Sequence, residues 1–155
     1  MPMRERVTRE SVKILPFFVT GDGFQVILGR SRKTGSIKPI GGGVNTGETF
    51  IQAAGRETRE ETTLEVALQR FRPLGHSNEI LRYEAGHGLK PGDRIHAAWY
   101  SLALHPGETL APDDDLSGLL AVPLLDLPRV LTHSTTRDVV RFMVMHQLLT
   151  TATMR

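Results

Sequence analysis

Two apolar runs, Val12 to Thr20 and Phe24 to Gly29, are separated only by Gly21-Asp22-Gly23. Both glycines tolerate positive φ, which a tight connection between strands needs, so the start of the chain is committed to a hairpin. More strand-like pieces follow. A basic loop with Gly35 leads into an extended piece from Ile37 to Ile40, and Gly41 to Gly43 read as a turn. Glu65 to Tyr83 reads as one or two strands interrupted by Pro73 and by His76-Ser77-Asn78, and 84–93 reads as a loop. Arg94 to Leu104 alternates: Ile95, Ala97, Trp99 and Ser101 face one side, and His96, Ala98, Tyr100 and Leu102 the other. After an aspartate-rich loop, a short strand around Leu120 to Val122 stops at Pro123.

Helical periodicity is confined to two segments. Thr49 to Leu64 is the first: Thr49 can cap it, Gln52 completes a capping box, and Phe50, Ala53, Ala54 and Thr58 form one stripe. The second runs from Thr135 to Leu149 after a Ser134 cap. Its stripe of Val139, Phe142, Met143, His146 and Leu149 is widened by Val140, Val144, Met145 and Leu148. A stripe that broad suits deep burial or a partner subunit, and a homodimer is the expected assembly. Two helices among many short strands predict an α+β fold, a mixed α/β/α sandwich rather than a regular doubly wound sheet. The helix of Thr49 to Thr63 should cover one face and the terminal helix the other.

Composition narrows the function. A length of 155 residues favours one domain over 1–155. No stretch approaches the roughly 18 apolar residues of a membrane span. The opening MPMRERVTRESVK is too charged for a secretory signal, and the chain has no cysteine, which removes disulfides and thiolate chemistry and fits a cytoplasmic location. Arg4, Arg6, Arg9 and Lys13 read as solvated surface. Arg30, Arg32, Lys33 and Lys38 lie just before the glycines and suit a phosphate-bearing small molecule. Nucleic acid is disfavoured, because the basic clusters are short and no zinc-finger, RRM or KH motif occurs.

The sharpest local pattern is the acidic helix. On helical spacing Glu57 sits over Glu60 and Glu61, so three carboxylates share a face, where they repel unless a cation lies between them. Arg56, Arg59 or a divalent ion can serve. Oxygen-only donors suit magnesium or manganese, and zinc is poorly supported without cysteine or a paired histidine motif. The glycines before the helix let backbone groups approach a ligand unscreened, although no Walker lysine follows.

Together, Gly42, Glu48, Arg56, Glu57, Glu60, Glu61 and Leu64 resemble the signature of the Nudix hydrolases over one continuous stretch. Thr58 stands where that family carries an aliphatic residue and Thr63 where it carries glycine. Pro39-Ile40 reverses the usual entry, and Asn45 replaces a frequent glutamate. The resemblance implies that Glu57, Glu60 and Glu61, with the Gly41 carbonyl, hold Mg2+ or Mn2+. It also implies that Glu48 and Arg56 pair to hold the loop on the helix, with Gly42 and Gly43 against the substrate. The implied reaction is attack of water on a diphosphate linkage. For the proton acceptor the alternatives are Glu57, Glu79, Glu84 and the Asp113-Asp114-Asp115 loop, with Asp115 nearest by counting. Arg30, Arg32 and Lys33 are the side chains offered to a phosphate or terminal sugar. The substrate implied is a nucleoside diphosphate derivative, either a nucleoside triphosphate, as in an oxidised one, or a nucleotide sugar. A catalytically weak nucleotide-binding or regulatory module is the alternative, and a single-stranded RNA-binding domain would need aromatic rings exposed beside the basic loop.

Overall fold

The computed structural model describes residues 5–82 and 88–131. The expected hairpin is β1 (Thr8–Thr20) and β2 (Gly23–Ser31), joined across Thr20 and Gly23, and of the two turn glycines only Gly23 takes a positive φ, 107°. β3 (Ile37–Lys38) and β4 (Ile40–Gly43) follow, then α1 (Phe50–Thr62), β5 (Arg72–Ile80), β6 (Arg94–Ala103), β7 (Leu116–Pro123) and a single helical turn, α2 (Leu127–Val130). The strand order is β3-β2-β1-β6-β5, with β4 added to β1 and β7 to β2.

β1 is the hub. It runs parallel to β6 from Thr8 to Phe17, and on its other edge it pairs antiparallel first with β4 and then, from Phe17, with β2. Beyond Val26, β2 leaves β1 and pairs with β3 at Gly29 and Arg30, while from Gln25 onward it also pairs with β7. The sheet is therefore mixed and forked, and β4 fills the fork.

Three details depart from the sequence reading. The glycine triplet is strand β4, not a turn: Ser11, Val12 and Lys13 pair with Gly43, Gly42 and Gly41. Gly41 has φ 149°, and a Cβ there would collide with the Val12 carbonyl oxygen, so close strand approach demands glycine. β5 begins only at Arg72, after a 3-10 turn at Leu68–Arg70 where strand was expected, and it runs unbroken through Pro73 and His76 to Ile80, because a register shift between Pro73 and Gly75 absorbs the missing N–H at the sheet's edge. β7 starts at Leu116, earlier than expected.

α1 begins as expected. Thr49 Oγ1 accepts from Gln52 N, and Gln52 Oε1 accepts from Thr49 N. Ala53, Ala54 and Thr58 are fully buried and let the helix lie close on Val12, Ile14, Ile40, Ala98 and Tyr100. The opposite core holds Leu15, Phe17, Trp99, Leu124, Leu127 and Leu131. The alternation read along β6 thus assigns its side chains to the two cores, and Trp99 is a core residue whose Nε1 donates to Ser77 Oγ at 2.8 Å. The α+β class holds, with a mixed sheet carrying helical packing on both faces. The helix expected at Thr135 to Leu149, with its Phe142 to Met145 stripe, lies outside the described residues. Among the described residues no helix is long and apolar enough to cross a membrane.

Candidate functional site

α1 and β4 meet side by side, and the meeting fixes the acidic side chains. Glu57 is buried against Gly42, where a Cβ would overlap the Glu57 carboxylate. Glu61 is only 1% exposed, and its Oε1 accepts from the Gly41 N–H at 2.9 Å. The glycines therefore make room for carboxylates rather than for a turn. Gly43 serves differently: its carbonyl accepts from Arg56 Nη2 at 2.8 Å.

Arg56 organises this junction. Its Nε donates to Glu48 Oε2 at 2.8 Å and Nη2 to Glu48 Oε1 at 2.9 Å, a two-pronged pair. Nη1 donates to Glu57 Oε1 at 2.9 Å and Glu60 Oε2 at 3.2 Å. With the Gly43 carbonyl, all five guanidinium N–H groups have acceptors. Glu48 Oε1 also accepts from Asn45 N at 3.0 Å, which ties the loop to the helix. The expected Glu48–Arg56 pair is present, and Asn45 serves the loop through its backbone.

The electrostatics divide the carboxylates. Hydrogen bonding from Arg56 holds Glu48 below the usual carboxylate range. Burial pushes Glu57 up despite Arg56, and the charges of Glu60 and Asp114 add to the rise. Glu61 is pushed up to about 7, chiefly by burial; the Gly41 N–H and Lys38 oppose the shift, and Glu57 and Asp115 reinforce it. Its second oxygen, Oε2, is buried without a hydrogen bond.

The three helix carboxylates share a face but do not close on one point. Among the described residues no group of three His, Asp or Glu side chains forms a ready metal cage. Arg56 Nη1 already engages Glu57 and Glu60, while Glu61 turns to Gly41. The donors nevertheless fit a hard cation: all are oxygens, Glu61 Oε2 lacks a partner, and the absence of a Gly42 side chain lets the Glu57 carboxylate lie against β4. An ion held by these oxygens would compete with Arg56 Nη1 for Glu57 and Glu60.

The aspartate loop reaches the same place. Asp113 N donates to the Glu61 carbonyl and Ala111 N to the Thr62 carbonyl, both at 3.0 Å, so the loop caps the end of α1. Arg32 holds the loop from the other side: its N–H donates to the Asp115 carbonyl, Nε to that of Asp114 and Nη2 to that of Leu116. The structure thus brings Asp115 near Glu61 but engages Arg32 as a clamp on backbone. Arg30 Nη1 bonds the Gly35 carbonyl of its own loop at 2.9 Å, and Lys33 is exposed at the loop's tip. Glu79 lies on β5, and Glu84 is outside the described residues.

Two groupings were missed in the sequence. Lys13 was read as solvated surface; instead it is half-buried in β1, with burial holding its ammonium below the usual lysine value. The signal was there, since Arg9, Ser11 and Lys13 alternate with the strand period. His76 and His96 were read as scattered, yet β5–β6 register brings their Nδ1 and Nε2 to 3.0 Å, beside Phe50. Only strand pairing could have joined them.

The stretch that carries the glycine strand and the capped acidic helix lies within the residues, 8–142, that the NUDIX domain model matches. The chain belongs to the NUDIX domain family. A Caenorhabditis elegans Ap4A hydrolase in a binary complex has a similar structure, with TM-score 0.72 and 16% identity, covering 90% of this chain and 98% of that one. The Escherichia coli dihydroneopterin triphosphate pyrophosphohydrolase gives 0.72 and 19%, covering 91% and 99%. The NUDIX domain of Shewanella oneidensis NrtR, complexed with ADP ribose, gives 0.67 and 13%, covering 94% and 90%. At these identities the likeness establishes the fold. A search of curated protein sequences found no match.

Proposed function

We propose that this protein hydrolyses a diphosphate linkage in a nucleoside diphosphate derivative, a nucleoside triphosphate or nucleotide sugar, using Mg2+ or Mn2+. The observation that carries the reading is Glu61, a buried carboxyl with one oxygen fixed by Gly41 and the other without a partner. Burying such a group costs stability unless something compensates it. Similar structures include an Ap4A hydrolase and a triphosphate pyrophosphohydrolase, which supports the same class of bond.

In this mechanism Glu57, Glu60, Glu61 and the Gly41 carbonyl hold the ion. When bound, it supplies Lewis-acid polarisation of phosphate oxygens and a lower pKa for water. Arg56 aims Glu57 and Glu60 while tying Glu48 and Gly43 to the helix. Burial delays loss of the Glu61 proton to near neutrality, so Glu61 is about half ionised there and anionic only above that pH. Asp115, carried on the loop that caps α1, is the proposed proton acceptor, with Glu57 the alternative. Gly42 and Gly43 offer close backbone approach, and Arg30, Arg32 and Lys33 border the phosphate side, Arg32 through the clamp it places on the aspartate loop.

A second reading, a nucleotide-binding or regulatory module with weak catalysis, is favoured by the engagement of Glu57 and Glu60 by Arg56 instead of a ready cage. A panel of nucleoside triphosphates, dinucleoside polyphosphates and nucleotide sugars, assayed with magnesium and with chelator, separates the two. Metal-dependent hydrolysis of at least one member is expected; hydrolysis of none sinks the enzyme reading. We further propose one domain over 1–155, a cytoplasmic location, no nucleic-acid partner, and a homodimer through the Phe142 to Met145 stripe. A single monomeric mass on sedimentation would remove the dimer.

A further inference from the structure

β1 side chains alternate between the two faces of the sheet. Val12 and Ile14 pack toward α1, whereas Leu15 and Phe17 belong to the opposite core. Arg9, Ser11 and Lys13 therefore form a row on the face that α1 does not cover. Along β4 that row meets only glycine: Ser11 pairs with Gly43 and Lys13 with Gly41. The Arg9 guanidinium lies in the space that a Gly43 Cβ would take. Along β6 the neighbours are Ala97 and Trp99, and Lys13 Nζ sits 5.6 Å from the Trp99 ring centroid.

The fold makes little use of these polar groups. Ser11 is 8% exposed and its Oγ has no hydrogen-bond partner. Arg9 and Lys13 are half-buried, and among the described residues neither side chain makes a hydrogen bond or ion pair. Lys13 has the Trp99 face and the charges of Glu79 and Glu61 to offset its burial, which nonetheless prevails, and Arg9 has no ion pair among the described residues, so two half-buried cations flanking an orphaned hydroxyl point to a ligand. Two cations bracketing a hydroxyl suit a tetrahedral phosphate better than a carboxylate, which a single guanidinium satisfies.

We propose that Arg9, Ser11 and Lys13 are a phosphate-binding row that holds a non-scissile phosphate of the substrate beside the glycine strand. The word substrate rests on the hydrolase reading; the binding does not. Gly41 connects the two sites, since its N–H bonds Glu61 while its strand partner is Lys13. A cavity of about 510 Å³, bounded by Val7, Arg9, Glu10, Val44, Asn45 and Glu48, lies at the Arg9 end, with room for the rest of a nucleotide-sized molecule.

The test is calorimetric titration of the metal-free protein, in chelator, with inorganic pyrophosphate and with ADP. Wild type should bind at least one of them, and Arg9→Gln and Lys13→Met should each weaken it about tenfold or more, as expected for a charge-assisted bond. Lys13→Met keeps the length of the stem and removes an ammonium whose burial outweighs its contact with Trp99, so its melting temperature should rise; a lysine kept for structure would make it fall. Wild-type affinity in both variants, or no binding of either anion by the wild type, overturns the row. Hydrolysis does not enter this readout. A protein that binds through the row but hydrolyses nothing would sink the enzyme reading alone, and one that hydrolyses with unchanged binding in both variants would sink the row alone.

Discussion

Two arginine–glutamate pairs in this molecule have nearly the same geometry and opposite settings. Arg70 grips Glu108 with Nη1 and Nη2 at 2.7 and 2.6 Å, and Arg56 grips Glu48 at 2.8 and 2.9 Å. Side-chain exposure is similar too, 22% and 19% against 18% and 15%. Around Glu108 the charge wins: Arg70 first, and then the His105 N–H, outweigh a smaller opposing effect of burial and hold its carboxyl down at about 2. Around Arg56 the first glutamate is satisfied, but two more carboxyls, Glu57 and Glu61, are pushed up by burial. A bidentate pair alone is therefore no sign of function. What separates the two regions is carboxylates buried beyond what the available cation can satisfy.

The largest effect expected from breaking this contrast is on catalysis. Glu61→Gln keeps the shape of the side chain and its bond from Gly41, but removes a proposed metal oxygen. Turnover with magnesium should fall by at least about 100-fold, at or beyond the upper end for loss of a mere supporting contact. Melting temperature should hold or rise, because a buried charge has gone. Equal turnover in wild type and E61Q would remove Glu61 from the site.

Arg56→Lys comes next. Lysine offers a point charge where five directed N–H groups are in use, so Glu48, Glu57 and the Gly43 carbonyl cannot all be served. A loss of about 2–4 kcal/mol in denaturant unfolding is expected, along with lower turnover. Arg70→Lys, by contrast, should cost about 1 kcal/mol or less and leave turnover alone. Equal costs at the two arginines would mean that Arg56 is only another surface clamp.

Titration sharpens the comparison because the two shifts have opposite sign. Glu108 lies below the ordinary carboxyl value of 4.5, so its stabilisation is complete above 4.5 and is lost as pH falls toward about 2. Glu61 lies above it: relative stability is greatest below 4.5 and is lost as pH rises to about 7. Thermal unfolding in chelator should therefore show wild type gaining on E108Q with rising pH at the acid end. Against E61Q it should lose ground between pH 4.5 and neutrality. Parallel curves in the second comparison would mean that Glu61 is not the strained group.

The sequence made the acidic helix legible because local rules write it: the Thr49 and Gln52 cap, the alanine stripe and the glutamate spacing all lie within one helix. The hairpin and the alternation of β6 were legible for the same reason. The glycines were misread because their purpose is not local. Gly41 and Gly42 are required by Val12 and by Glu57, contacts that exist only after β4 has paired with β1 and α1 has folded back. Lys13 was misread because its position near the start of the chain suggested surface, whereas β1 proved to be the centre of the sheet. Arg56 could be named from the signature, but its hold on the Gly43 carbonyl belongs to tertiary structure.

The smallest expected effect lies at the end of the same helix. Thr63 stands where the family resemblance puts glycine, and the structure gives it φ 64° and ψ −2°, a left-handed conformation that a branched residue adopts at a cost. The departure therefore leaves the helix end in the shape a glycine would give it, with the Thr63 N–H donating to the Arg59 carbonyl at 3.0 Å. Thr63 is exposed, so its side chain contributes little packing in return. Thr63→Gly should raise stability by about 0.5–1 kcal/mol, the relief of strain being partly offset by glycine's greater freedom in the unfolded chain. Turnover should not change, because Glu60 and Glu61 keep their places on the helix. Destabilisation measured by denaturant unfolding would mean that the threonine is held by contacts stronger than its strain. A change in turnover with stability gained would instead tie the position of the aspartate loop, which caps this helix through the Glu61 and Thr62 carbonyls, to the chemistry.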